Sequence, residues 1–194
     1  MQSRGLQTGA RRLHAGNAQE GRAFQTYEPP SRRAARGSLL ALIGFVGLSL
    51  LVWAANGAIT AGSAPAWYWS LTAPPGTPPT WLFAPVWTAL YPLMGVAAWL
   101  VWRRIDVGAE RKRSALRIWG WQLLANSLWS PAFFGLHSLG ASLVVIVLLL
   151  AAILMTVRRF VPLQPVAAVL MLPYGLGVSY AAYLNVGLWW LNRG

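Results

Sequence analysis

This 194-residue chain has no cysteine, only four acidic residues and two histidines. Disulfide and thiolate chemistry are therefore excluded, and no Cys/His/carboxylate cluster has metal-ligand spacing. Glu20, Glu28, Asp106 and Glu110 all lie outside the long apolar stretches, and His14 stands alone in an N-terminal leader. His137 reads as an interfacial residue of a short turn rather than a heme ligand, because it has no paired ligand. No nucleophile with a base and no phosphate-cradling Gly loop exists, so ordinary acid–base or metal catalysis has nothing to stand on and no catalytic residue is assigned. Charge itself is scarce: 10% of residues are charged, against roughly 25% in a soluble domain. None is charged between Arg36 and Arg103, between Arg117 and Arg158, or between Arg159 and Arg193. Apolar stretches of that length cut by short charge clusters mean a polytopic membrane protein. Strands of alternating polarity are missing, which excludes a barrel, and no internal repeat supports an inverted-repeat transporter. Nor does any ionisable side chain fall within a span, where proton-coupled pumps carry theirs.

The expected class is all-α: a five-helix transmembrane bundle in residues 39–194 behind a basic leader in 1–38. Spans are expected at 39–61, 81–102, 118–134, 139–157 and 166–188, each near the ~20 residues that cross a hydrocarbon core as helix. The leader holds Arg4, Arg11, Arg12, Arg22, Arg32, Arg33 and Arg36 among Gly, Ala and Gln. It buries too little apolar surface to offset ordering entropy and reads as disordered. It would lie on anionic headgroups, with a mitochondrial transit peptide as the alternative. The net charge of +12 does not indicate nucleic acid, because the basic residues flank the spans instead of interleaving with aromatics on a polar face. Fifteen of the sixteen Lys and Arg fall on one side if the N-terminus is inside, leaving only Arg193 outside. A bacterial cell membrane fits the Arg/Ala/Gly/Leu bias, with a mitochondrial membrane second.

The most distinctive stretch is 67–91, WYWSLTAPPGTPPTWLFAPVWTALY. Its first part, 67–80, with Trp67, Pro74, Pro78 and Pro79, is too Pro-rich for a regular helix and predicts an irregular, stiff lid. Trp81 opens the following span, where Phe83, Trp87 and Tyr91 recur at every fourth residue and stack along one helix face. In the third span Gln122, Asn126, Trp129 and Phe133 share a face. In the fifth, Tyr174, Val178, Ala181 and Asn185 do so. Amides facing hydrocarbon are costly, so the three stripes should converge inside the bundle. From periodicity alone they could be helix–helix glue or the lining of a ligand pocket. Trp53, Trp99, Trp102, Trp189 and Trp190 lie near span ends and read as belt residues.

At these stripes the chain resembles the TspO/MBR family, the tryptophan-rich sensory proteins that include the mitochondrial translocator protein. The family pattern WY..L..P....PP.W.F...W..LY is met by Trp67, Tyr68, Leu71, Pro74, Pro78, Pro79, Trp81, Phe83, Trp87, Leu90 and Tyr91. Q...N..W...FFG is met from Gln122 to Gly135, and PY......A..LN from Pro173 to Asn185. The resemblance implies a five-helix bundle, often a homodimer. It implies tetrapyrrole ligands such as protoporphyrin IX or heme, with no obligatory cofactor, in a pocket lined by Trp87, Asn126 and Ala181 beneath the lid. Two positions depart from the pattern: Ala73 replaces a basic residue, and Gly177 replaces a Trp linked in bacterial relatives to light-dependent porphyrin breakdown. The C-terminal sterol motif is missing as well. A receptor or carrier for porphyrin-like ligands is the expected function; a porphyrin-degrading enzyme and a membrane scaffold are the alternatives.

Overall fold

The computed structural model describes residues 32–63 and 65–193 of the chain. Residues 1–31, most of the expected leader, lie outside the described residues. Residues Gly37–Gly194 form one compact unit, and the bundle described below belongs to it. Among the described residues all regular structure is helical: α1 (Arg32–Ser63), the short α2 (Pro65–Ser70), α3 (Thr80–Trp102), α4 (Ala109–Ser130), a π-helical turn (Pro131–Gly135), α5 (Leu139–Phe160) and α6 (Pro165–Leu191).

Four helices are long and apolar enough to cross a bilayer, over Arg36–Gly62, Thr80–Trp102, Leu139–Phe160 and Pro165–Leu191. The remaining long helix, α4, differs from its expected span. It starts at Ala109 rather than 118, because Glu110, Arg111, Lys112, Arg113 and Arg117 form a charged first half. The apolar half then continues through the π turn that Pro131 begins. Two other expectations are corrected. Helix α1 reaches back to Arg32, so 32–38 is helical rather than disordered. The lid is irregular only from Leu71, since Trp67 to Ser70 belong to α2.

Helix α5 packs most extensively on α4 and α6, and α3 packs on α6. The half of the bundle away from the lid is solid: Met94, Ala97, Ala98, Val101, Ala115, Phe160, Ala167 and Met171 have no solvent exposure. Small residues make that density possible by letting backbones approach. At this end Arg104 grips both carboxylate oxygens of Asp106 (2.8 and 2.5 Å) and reaches Gln164 (3.0 Å), pinning the α3–α4 turn to the start of α6. The guanidinium holds the Asp106 carboxyl down at about 2.

Helix α1 is the loosest member, with 6% of its apolar window buried. It comes closest to α3 at Gly95, where an added β-carbon would lie 2.6 Å from Val46 Cα and 2.8 Å from Phe45 O. Backbone cannot yield to that extent, so Gly95→Ala should cost at least the 1–3 kcal/mol of ordinary overpacking. Gly120→Ala on α4, which meets nothing within 4 Å, is the matched control. Thermal unfolding in detergent should separate the two by several degrees; equal midpoints would remove the close crossing.

Candidate functional site: an aromatic cavity under a strapped lid

Above the solid half the helices enclose a cavity of about 540 Å³. All five long helices and α2 line it, among them Asn56 and Thr60 of α1, Phe83, Trp87 and Tyr91 of α3, Asn126 and Trp129 of α4, Ile146 and Leu149 of α5, and Ala181 and Asn185 of α6. Nine lining residues are aromatic: Trp53, Tyr68, Trp69, Phe83, Trp87, Tyr91, Trp129, Phe133 and Phe134. The rings brace one another. Trp129 stacks on Phe133 at 5.0 Å, Phe133 meets Phe134 edge-on at 4.7 Å, and Trp87 lies edge-on to Tyr91 at 6.2 Å.

The floor is a hydrogen-bonded layer centred on Asn126. Its Oδ1 accepts from the Tyr91 hydroxyl (2.5 Å) and from Asn56 Nδ2 (3.1 Å), and its Nδ2 donates to the Tyr174 hydroxyl (2.9 Å). Asn56 Nδ2 also reaches the Asn126 backbone carbonyl (3.2 Å), which can only accept and so fixes how the Asn56 amide is turned. Higher up, Trp129 Nε1 donates to Asn185 Oδ1 (3.2 Å), whose Nδ2 donates to Leu139 O (3.2 Å). Both amides are engaged by protein groups, so helix glue and pocket wall are here the same residues.

The expected site residues sort into three groups. Phe83, Trp87, Tyr91, Asn126, Trp129, Phe133, Ala181 and Asn185 come together around the cavity. Tyr174 is fully buried below it, bonded to Asn126 and edge-on to Trp87 at 6.3 Å. Gln122 and Trp81 are not among the lining residues. Gln122 sits a turn deeper with no exposure, and its amide finds no partner among the described residues. Trp81 is 70% exposed on the outer surface, because at the first turn of α3 its side points away from Phe83. Periodicity missed the contribution of α1. Trp53, expected in the belt, lines the cavity, as do Asn56, Gly57, Thr60 and Ala61. The usable signal was Asn56, the one amide in that span, with Trp53 and Thr60 on its face at helical spacing.

The lid follows from its prolines. Pro74 sits in a notch at Gly187, where a β-carbon would lie 2.6 Å from the ring. The Asn192 side chain clasps Thr72, accepting from its N–H (2.8 Å) and donating to its carbonyl (3.0 Å). Tyr183 donates to Pro75 O (2.9 Å), and Tyr180 donates to Gly76 O. Trp67 packs edge-on against Phe133 at 5.6 Å and lies 4.7 Å from the His137 ring. Pro78 and Pro79 line a smaller space of about 330 Å³ with Leu71, Ala73 and Thr77. It shares Tyr68, Trp69, Thr80 and Leu188 with the main cavity and forms its vestibule. Burial raises the Tyr68 phenol above its usual value, so that ring stays neutral.

Removing the strap should free the lid without unfolding the bundle. In a Tyr180→Phe, Tyr183→Phe, Asn192→Ala variant, hydrogen exchange across 71–79 should rise at least tenfold while exchange in α5 stays unchanged. Unaltered exchange in 71–79 would show that the strap does not hold the lid.

Residues 45–191 match the TspO/MBR family. The chain is 38% identical over 129 residues to "Protein CrtK" of Rhodobacter capsulatus, covering 66% of this chain and 80% of that protein. It is 38% identical over 158 residues to "Tryptophan-rich protein TspO" of Chlorobaculum tepidum, covering 79% and 97%. Identity to the human "Translocator protein" is 34% over 128 residues, covering 66% and 76%. With its family match running from within α1 to the end of α6, the chain belongs to the TspO/MBR family of integral membrane proteins.

Proposed function

We propose that this protein is a membrane receptor or carrier for flat hydrophobic ligands of the porphyrin type, held in the aromatic cavity. The observation that carries the reading is the cavity itself: about 540 Å³ ringed by nine aromatic side chains, within the roughly 300–1,000 Å³ range of small-molecule sites. A planar macrocycle gains by stacking on rings already braced in place. The Asn126 amide is engaged by Tyr91, Asn56 and Tyr174, so Asn126 sets the shape of the floor, while Asn56 Oδ1 is left as a buried acceptor without a partner among the described residues. Relatives named as a translocator protein and as tryptophan-rich proteins are compatible with this reading.

The activity proposed is binding rather than chemistry. At Gly177 an added β-carbon would already lie 3.2 Å from Leu90 Cδ1 and 4.0 Å from Trp87, so an indole there would have to displace one of them. We place the N-terminus inside on the strength of the basic residues at the α3–α4 and α5–α6 turns, and the lid outside. A bacterial cell membrane is the proposed location.

Saturable quenching of tryptophan fluorescence by protoporphyrin IX tests the reading directly. Trp87→Ala should weaken binding about tenfold. Asn126→Ala should weaken it and also lower the unfolding midpoint, because Tyr91 and Tyr174 lose their partner. Unchanged affinity in both variants would remove the pocket assignment. Under illumination the porphyrin absorbance should decay no faster with protein than without; faster loss would restore the enzyme reading.

A further inference from the structure

Among the described residues no charged side chain lines the cavity or the vestibule, and the cations stand elsewhere. At the opposite end of the bundle lie Arg103, Arg104, Arg111, Lys112, Arg113, Arg117, Arg158 and Arg159, separated from the cavity by the solid half. At the lid end, Arg193 is turned onto the faces of Trp190 (3.4 Å) and Trp189 (4.9 Å). His137 lies against Trp67, outside the lining of either space. The polar groups of the vestibule are the neutral side chains of Tyr68, Trp69, Thr77 and Thr80, and Thr77 is spent on Pro74 O (2.8 Å). The floor offers an anion little: Asn126 Oδ1 is taken by Tyr91 and Asn56, Asn126 Nδ2 donates to Tyr174, and the buried group left there without a partner among the described residues is an acceptor, Asn56 Oδ1.

Resting on the porphyrin-type reading above, we infer that the site selects ligands whose polar edge is uncharged, such as esters, alcohols or amides, over the corresponding carboxylates. A carboxylate drawn under the strapped lid gives up water and meets no cation, which is the costly way to bury a charge. A neutral polar edge can use the indole and hydroxyls of the vestibule without that loss. The determinant is position 73: Ala73 lines the vestibule and leaves it neutral, and a cation placed there would supply the partner that a carboxylate lacks.

The test compares protoporphyrin IX with its dimethyl ester, by tryptophan quenching in the same nanodiscs, for the wild type and for Ala73→Arg. The ester should bind the wild type at least tenfold more tightly than the acid. Ala73→Arg should shrink that ratio by at least tenfold; taking the ratio between proteins cancels any difference in partitioning into lipid. An acid bound by the wild type as tightly as the ester, or a ratio that Ala73→Arg leaves unchanged, overturns the inference. Pyrenebutyrate and its methyl ester repeat the comparison without a tetrapyrrole. If neither porphyrin binds, the porphyrin reading fails by itself, and the pyrene pair alone upholds or overturns the charge selectivity by the same two criteria.

Discussion

A side-chain amide in hydrocarbon has no water to fall back on, and Asn126 is the place where that constraint shapes the bundle. Its oxygen and nitrogen are met by Asn56 from α1, Tyr91 from α3 and Tyr174 from α6. One side chain on α4 therefore fixes three other helices at a single depth. Leaving any of these groups unpaired would cost about 1–3 kcal/mol each, which is large beside a typical net stability of roughly 5–15 kcal/mol. For α1 the consequence is sharpest, because its anchors are few: the close crossing at Gly95, the Trp99 indole donating to Ser38 O (2.9 Å) and Phe45 edge-on to Trp119 (5.4 Å) below, and the Asn56 amide above.

That layer divides the molecule into two kinds of packing. Below it, alanines, Gly95 and Met94 let the helices close completely. Above it, large rings brace each other and hold the helices apart, so the same number of chain segments surrounds a hollow. Rings suit this role because each contributes area with few rotatable bonds, and edge-to-face contacts fix their tilt. The transition from small to large residues along α3, read backwards from Ala98 to Phe83, is the transition from plug to cavity wall.

Much of this was legible in the sequence. The stripes of α3, α4 and α6 were visible because amides and rings at helical spacing inside an uncharged span have few alternatives to facing inward. Three things were not legible, each for a physical reason. Helix α1 shows a single amide amid apolar residues, too weak a signal to separate a lining face from a lipid-facing one. A shared helical face does not fix depth, so Gln122 and Tyr174 lie beneath the cavity although their stripe-mates line it. Trp81 stands at the first turn of its helix, where periodicity says nothing about what, if anything, lies opposite.

The lid could not be derived from its own residues, because its anchor lies more than a hundred positions away. Prolines at 74, 75, 78 and 79 delete backbone donors, so the loop cannot satisfy itself with a ladder or helix. What it retains is an excess of carbonyl acceptors. Helix α6 answers with donors: the Tyr180 and Tyr183 hydroxyls for Gly76 and Pro75, and the Asn192 amide for Thr72, whose N–H it also accepts. Tyrosine suits the position because its ring lies along the helix while its hydroxyl reaches out to the loop. The contact of Pro74 with Gly187 closes the gap that any larger residue would hold open. Proline content, read at first as stiffness alone, is thus also what makes the lid dependent on α6, since an acceptor-rich segment stays down only where a donor-bearing face receives it.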